Sequence, residues 1–156
     1  MWEPKRGEMQ SPKPCVSIVT PCLNSGAFLE ATLLSVAAQE YPNIEHIVVD
    51  GGSTDNTLEI VAQHPRVALV TGRDHGAADA INRGFAASKG VYFNYLNSDD
   101  TLLPGAIAAM VDALERAPDC GGVYGGGWWI DDRGERIQPY PVLDFDPKLL
   151  ALECFI

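Results

Sequence analysis

Two adjacent carboxylates, Asp99 and Asp100, follow directly on an apolar run at residues 91–96. Side chains of that type in that place have a definite chemical use. Hard divalent cations take oxygen ligands, and Mg²⁺ is commonly held by one or two carboxylates together with phosphate oxygens of a bound molecule. A cation held so would neutralise a pyrophosphate and stabilise it as a leaving group. The pair equally suits a turn leading into a helix, where acidic side chains sit near the positive end of the helix dipole. By itself it admits both readings. Asp50 also ends an apolar run, residues 44–49, and Gly51-Gly52 after it allows close backbone approach or positive φ. A carboxylate there can accept a hydrogen bond from a base N–H or a ribose hydroxyl. Asp55 reads instead as a turn residue ahead of the next helix.

A second group is Arg73-Asp74-His75-Gly76, followed by Asp79, Asn82 and Arg83. Asp79 and Arg83 are four apart and can pair on one helix face. They can equally serve a ligand, Asp79 near a donor and Arg73 or Arg83 near its phosphate. Both readings stand. His75 reads as a loop residue. Trp128-Trp129, after Gly125-Gly126-Gly127, suits either a core or an acceptor groove. Cys15, Cys22, Cys120 and Cys154 lack any zinc-ligand spacing and read as small buried hydrophobes in a reducing compartment.

These residues need a frame. Residues 1–14 are polar and Pro-containing, with no apolar stretch of a secretory signal, and read as a disordered arm ahead of one domain at 15–156. Residues 15–20 are a β-branched run stopped by Pro21, hence a strand. Leu29, Leu33, Val36 and Ala37 recur at helical spacing up to Tyr41-Pro42-Asn43. Residues 44–49 form a second strand, and Leu58, Val61 and Ala62 mark the helix after it. Residues 67–70 are a third strand, and Ala77, Ile81 and Phe85 mark a third helix. Residues 91–96 are the fourth strand. Pro104 opens a helix with Ile107, Val111 and Leu114 on its apolar face. A strand is expected from Val123 onward, with Asp132-Arg133-Gly134 as a hairpin turn. This β-α alternation specifies an α/β fold, a mostly parallel sheet with helices on both faces. Ligands bind such sheets at the carboxyl ends of the strands, and the polar segments 21–25, 50–55 and 97–100 all fall there. Pro139, Pro141 and Pro147 break the last stretch. Its apolar ending at Cys154-Phe155-Ile156 reads as a chain cut within a larger domain.

The composition fits one soluble globular domain: 156 residues, 46% hydrophobic and 21% charged. No apolar run reaches the ~18 residues of a membrane span. Eleven basic against 21 acidic residues give a net charge of -10. A body this acidic is a poor partner for nucleic acid or an anionic membrane surface. If it takes a phosphate-bearing ligand, something other than bulk charge must offset the repulsion, and a divalent cation is the obvious candidate. The expected location is cytoplasmic, with peripheral membrane work left open.

The motifs also carry a resemblance. Val16-Ser17-Ile18-Val19-Thr20-Pro21-Cys22-Leu23-Asn24 and the stretch from Tyr41 through Asp50-Gly51-Gly52-Ser53-Thr54-Asp55 to Thr57 resemble the start of glycosyltransferase family 2. Gly76-Ala77-Ala78-Asp79-Ala80-Ile81-Asn82-Arg83-Gly84 and Asn97-Ser98-Asp99-Asp100-Thr101-Leu102-Leu103-Pro104-Gly105 are similar to the same family. The likeness runs from about Cys15 to Leu114 and more loosely to Ile156. It implies the GT-A fold, a Rossmann-like three-layer sandwich, C-terminally truncated here. It implies a nucleotide-sugar donor (a UDP-sugar favoured), Mg²⁺ or Mn²⁺, and inversion at the anomeric carbon. The acceptor would be a saccharide or lipid-linked sugar, in polysaccharide or cell-surface glycan assembly.

Carried over, Pro21 and Asn24 lie beside the nucleotide, Asp50 contacts the base or ribose, and Asp79 is near the donor. Asp99 and Asp100 correspond to the family's D-x-D-type element, with Asp100 the direct metal ligand and Asp99 nearer the ribose or sugar. Two departures stand out. Many relatives have two consecutive acids where this chain has Asp50-Gly51, so the second acid's base contact is lost or passes to Asp50. Many have an aromatic residue where this chain has Leu23. The family's general base lies further along than any residue here matches. Asp131, Asp132, Asp144 and Asp146 stand in no motif that carries over. An exposed apolar edge would leave a homo-oligomer open. The alternative is a non-catalytic nucleotide-sugar-binding module. A nucleotidyltransferase would want a basic Gly-rich loop after the first strand, and residues 21–26 hold no Lys or Arg.

Overall fold

The computed structural model describes residues 12–140 and 142. Most of the expected N-terminal arm falls outside them, as do Pro141, Asp144, Asp146, Pro147 and Cys154. The chain divides into two compact units, with the boundary between Pro104 and Gly105.

The first unit runs β1 (Val16–Cys22), α1 (Leu29–Ala37), β2 (Ile44–Asp50), α2 (Thr57–Ala62), β3 (Val67–Thr71), α3 (Ala77–Ala87) and β4 (Tyr92–Tyr95). The four strands form one parallel sheet in the order β3-β2-β1-β4. Consecutive side chains of a strand point to opposite faces, and both faces of β1 and β2 are covered. Cys22 and Val48 pack with Leu29, Leu33 and Val61 of α1 and α2 on one face. Val19, Ile47 and Val49 pack with Ala80 of α3 on the other. This two-sided burial explains why β1 and β2 read as near-continuous apolar runs rather than alternating ones. Each fully buried Val, Leu or Ile contributes about 1.5–3 kcal/mol. Gly84 is where α3 meets β1: a Cβ there would overlap Val19 Cγ1, so the helix lies closer than any other residue permits. The outer strands are shorter and less covered, as Leu69 on β3 and Phe93 on β4 show.

Pro21 does not stop β1, contrary to the sequence expectation; the strand runs on through Cys22. The ladder explains this. Val19 O accepts from Leu96 N and so faces β4, whereas Cys22 O accepts from Gly51 N and faces β2. Pro21, two residues after Val19, directs its hydrogen-free nitrogen to the β4 side. Pairing there has already ended at Val19 and Tyr95, so no ladder bond is lost.

The second unit contains α4 (Ala106–Arg116), β5 (Gly127–Ile130) and β6 (Arg136–Tyr140). The helix begins two residues after Pro104, behind Gly105 at φ 76°. The strand expected from Val123 begins at Gly127 and does not extend the parallel alternation: β5 and β6 make a separate antiparallel hairpin. The cause is local. Asp131 Oδ1 accepts from Arg133 N and Glu135 N at 2.9 and 2.8 Å, and Gly134 N bonds Asp131 O across a tight turn. Such a turn joins antiparallel strands only. Pro139 sits within β6, tolerated because each strand of a two-stranded sheet has an open side. No described helix is long and apolar enough to cross a membrane.

Candidate functional site

The loops leaving the carboxyl ends of β1 and β2 are cross-braced by side chains. Asn24 holds φ 52°, a conformation that Asn tolerates better than most residues. Its Oδ1 accepts from Thr54 N at 2.8 Å, and its own N–H donates to Ser53 Oγ at 2.8 Å. Asp55 accepts from Gly26 N at 3.0 Å and from Thr57 N at 3.0 Å. These bonds hold its carboxyl below the usual range, the Thr57 hydroxyl contributing most. Asp55 is therefore a turn residue, as its position suggested. Asp50 is 1% exposed. Its Oδ2 accepts from Gly52 N and Ser53 N at 3.0 and 3.1 Å, which closes the turn after β2. Cys22 Sγ lies 3.8 Å from Asp50 Oδ1. Burial, then the charge and hydrogen bond of Asp50, then the charges of Asp55 and Asp74, push that thiol up to about 12. Cys22 is a neutral buried group, not a nucleophile.

The Asp99-Asp100 turn is fastened to α1. Thr32 Oγ1, fully buried, lies 3.0 Å from Ser98 O and 2.8 Å from Asp100 O. Ser35 Oγ accepts from Leu102 N at 3.1 Å, and Gln39 Nε2 donates to Leu103 O at 3.0 Å. Ser25 and Ser98 hydroxyls meet at 2.8 Å. The backbone under the two carboxylates is thus fixed while both side chains stay exposed. Asn97 Nδ2 donates to Asp100 Oδ2 at 3.1 Å. Neither carboxylate pairs with a Lys, Arg or His among the described residues.

Between these loops and the one after β3 lies a cleft of about 380 Å³, lined by Pro21, Leu23, Ser25, Asp74, Asn97 and Asp99, among others. None of its lining among the described residues is basic. Two adjacent hard oxygen donors beside a cleft without a cation fit Mg²⁺ or Mn²⁺. Among the described residues no three His, Cys, Asp or Glu converge to hold a metal alone. A cation there would complete its shell with oxygens of a bound molecule.

Asp79 and Arg83 do not pair. Asp79 Oδ2 accepts from His75 N at 3.1 Å. Arg83 donates to Gly72 O at 2.7 Å and Thr71 O at 2.9 Å. Both fasten the loop that carries Asp74. His75 is an exposed loop residue, as expected. Trp128 and Trp129 belong to the second unit. There the Arg136 guanidinium lies 5.0 Å from the Trp128 ring, and Trp129 meets Tyr140 edge-on. Of the cysteines among the described residues, only Cys22 is buried; Cys15 is half-buried and Cys120 exposed. That departs from the expectation of uniformly buried thiols. Ser53, Asp74 and Ser98 stood in the sequence only as members of their motifs, without a role of their own, and Thr32 was not named. Thr32 left a signal all the same, a polar residue within the apolar stripe Leu29, Leu33, Val36.

A second hollow, about 500 Å³, lies at the opposite, amino end of the sheet, with Tyr41, His46, His64 and Arg66 among its walls and no carboxylate among the described residues.

Comparison with known proteins follows the same line. The model of the family described as Glycosyl transferase family 2 matches residues 17–150. The O-antigen biosynthesis protein RfbC of Myxococcus xanthus is 35% identical over 147 residues, covering 90% of this chain and 12% of that protein. Chondroitin synthase of Escherichia coli is 32% identical over 148 residues, covering 90% and 22% respectively. Among solved structures, the mannosyltransferase PcManGT from Pyrobaculum calidifontis, in complex with GDP-Man and Mn²⁺, superposes with a TM-score of 0.61 at 27% identity, over 70% of this chain and 36% of that one. The chain thus spans well under half the length of each of these proteins.

Proposed function

The chain belongs to glycosyl transferase family 2, and we propose that it binds a nucleotide-diphospho-sugar in the cleft at the carboxyl ends of its strands and serves transfer of the sugar to an acceptor hydroxyl, with inversion. Its parallel sheet covered by helices on both faces is the GT-A arrangement. The observation that carries the reading is the pairing of an anchored, exposed Asp99-Asp100 turn with a cleft that, among the described residues, offers a diphosphate no basic side chain.

Asp100, with Asp99, would hold Mg²⁺ or Mn²⁺. When bound, the cation supplies the positive charge that a departing nucleoside diphosphate needs. The chain's own residues do the positioning. Thr32 fixes the backbone under the metal pair. Pro21 carries β1 to the cleft wall, and Asn24 ties the loop after β1 to the loop after β2. Asp50, internally satisfied, shapes the turn from below. Asp79 acts through His75 N on the loop opposite. Asp99 faces the cleft and is the side chain suited to a ribose or sugar hydroxyl. A saccharide or lipid-linked acceptor, and work in glycan assembly, accord with the name of the RfbC relative.

Donor hydrolysis tests this, because water can replace the acceptor only where the metal site works. Mn²⁺-dependent release of sugar from a UDP- or GDP-sugar, lost in Asp100→Ala, is the expected result. Nucleotide binding without any release would instead identify a non-catalytic nucleotide-sugar-binding module.

A further inference from the structure

Gly51 and Asp74 compete for one position in space. A Cβ built on Gly51 would stand 2.5 Å from Asp74 Oδ2, 3.2 Å from its Cγ and 3.3 Å from its Oδ1. All three nearest atoms belong to one carboxyl group. Gly51 is not among the glycines at positive φ. Its backbone does not call for glycine; the space does. The volume that a side chain at residue 51 would occupy is filled by a carboxylate reaching across from the loop after β3.

That carboxylate is held and half free. Asp74 Oδ1 accepts from Gly76 N at 2.9 Å. Asp74 Oδ2 has no hydrogen-bond partner among the described residues. The supporting loop is fixed by Arg83 on the carbonyls of Thr71 and Gly72. Asp50 is in the opposite condition: it is 1% exposed and both its oxygens take backbone N–H groups. A ligand in the cleft meets Asp74 and Asp99, the two carboxylates of its lining among the described residues. They come from opposite sides. β3 and β4 are the outermost strands, three inter-strand steps or about 14 Å apart. A nucleoside diphosphate laid across the sheet, with its phosphates at the Asp99-Asp100 turn, would direct its base toward the loop after β3.

We propose that Asp74 is the specificity-determining carboxylate for the nucleobase, its free Oδ2 accepting one N–H, and that the base is uracil. This rests on the donor-site reading above. The choice of base follows from the count of free acceptors. The uracil edge offers a single imide N–H between two carbonyls. The guanine edge offers two neighbouring donors, which are met best by both oxygens of a carboxylate, and Oδ1 already carries the bond from Gly76 N. A hydrogen bond to a charged acceptor is worth about tenfold or more in affinity.

The test is titration calorimetry with Mn²⁺ on the full chain, using UDP, GDP and UDP methylated at uracil N3. The chain should prefer UDP to GDP. N3-methylation should weaken its binding about tenfold. Asp74→Ala should bind UDP about tenfold more weakly and lose its sensitivity to the methyl group. The double variant Gly51→Asp/Asp74→Gly moves the carboxylate to the other side of the same space and should regain most of the affinity. The analogue comparison on the unaltered chain needs no variant to fold. Equal affinity of the unaltered chain for UDP and its N3-methyl analogue would overturn the inference. So would preference for GDP, or undiminished UDP binding by Asp74→Ala. In all three cases the donor site itself would stand. Binding of neither nucleotide by the unaltered chain would overturn the donor-site reading and this inference with it.

Discussion

The two ends of the parallel sheet treat their polar groups in opposite ways. At the amino end they are absorbed by the fold. Glu45 accepts from Ser17 Oγ at 2.6 Å and Lys89 N at 2.8 Å, and Ser17 Oγ in turn accepts from Gly90 N. Together these hold the Glu45 carboxyl below the usual range against its partial burial. His46 is buried with Thr20 Oγ1 2.9 Å from its Nε2. At the carboxyl end, the same kinds of bonds fix the backbone but leave Asp99, one oxygen of Asp100 and one oxygen of Asp74 unspent. The larger hollow is at the amino end, so size does not mark the site. Unsatisfied charge on a fixed backbone does, because holding like charges close together opposes stability unless a ligand uses them.

The largest expected effect is at the amino end and follows pH. Burial, then the charge of His64, pushes the His46 imidazole down from 6.5 to about 4. Its folded value lies below its unfolded one, so the unfolded chain binds more protons between those limits. Stability from His46 is therefore present above about 6.5 and lost as pH falls toward 4, by up to about 3 kcal/mol. Urea denaturation at pH 7, 5.5 and 4.5 should show this slope, and His46→Gln should flatten it. Glu45, lowered instead, adds its own loss only at lower pH, below its ordinary value of 4.5. A flat profile from 7 to 4.5 would mean that the amino end is not sealed as described.

An intermediate effect is expected at the brace between the first two carboxyl-end loops. Asn24→Ala removes the acceptor for Thr54 N and puts a Cβ-bearing residue without a polar side chain at φ 52°. The cost should be about 2 kcal/mol. Asn24→Gly keeps the conformation and loses only the bond, about 1 kcal/mol. Thermal denaturation of the two variants separates backbone from side chain. Equal losses would show that the left-handed backbone is not what Asn24 supplies.

The smallest effect is the sharpest contrast. Asp100→Ala should leave stability within about 0.5 kcal/mol of the unaltered chain, or raise it slightly by removing a like charge. A marked loss would place Asp100 with Glu45, among residues the fold needs.

Much of this was legible in the residues. The apolar runs of β1 and β2, the helical stripe of α1 and the β-α alternation specify a parallel sheet, and the polar segments at strand ends point to its carboxyl edge. The GT-A architecture and family are borne out by the structure and its relatives. What stayed hidden depends on contacts between distant residues. Pro21 looks like a stop until the ladder shows that its nitrogen faces an unpaired side. The turn at Asp132-Arg133-Gly134 is expected from the residues, yet the strand before it counts as one more of the β-α alternation until the ladder pairs β5 with β6. Asp79 and Arg83 have the spacing of an ion pair, yet each finds a better backbone partner. Asp74 was named in the group after the third strand, but its role could not be read from sequence, because its meaning lies in the space above Gly51, 23 positions away.

The account turns on the Asp99-Asp100 turn as a cation site for a bound nucleoside diphosphate. Titration calorimetry of UDP against the chain, with and without Mn²⁺, and against Asp100→Ala tests it most directly. The expected result is binding that requires Mn²⁺ and is weakened about 100-fold, or about 2.7 kcal/mol, by the substitution. Equal binding without the metal, or undiminished binding by Asp100→Ala, would contradict it.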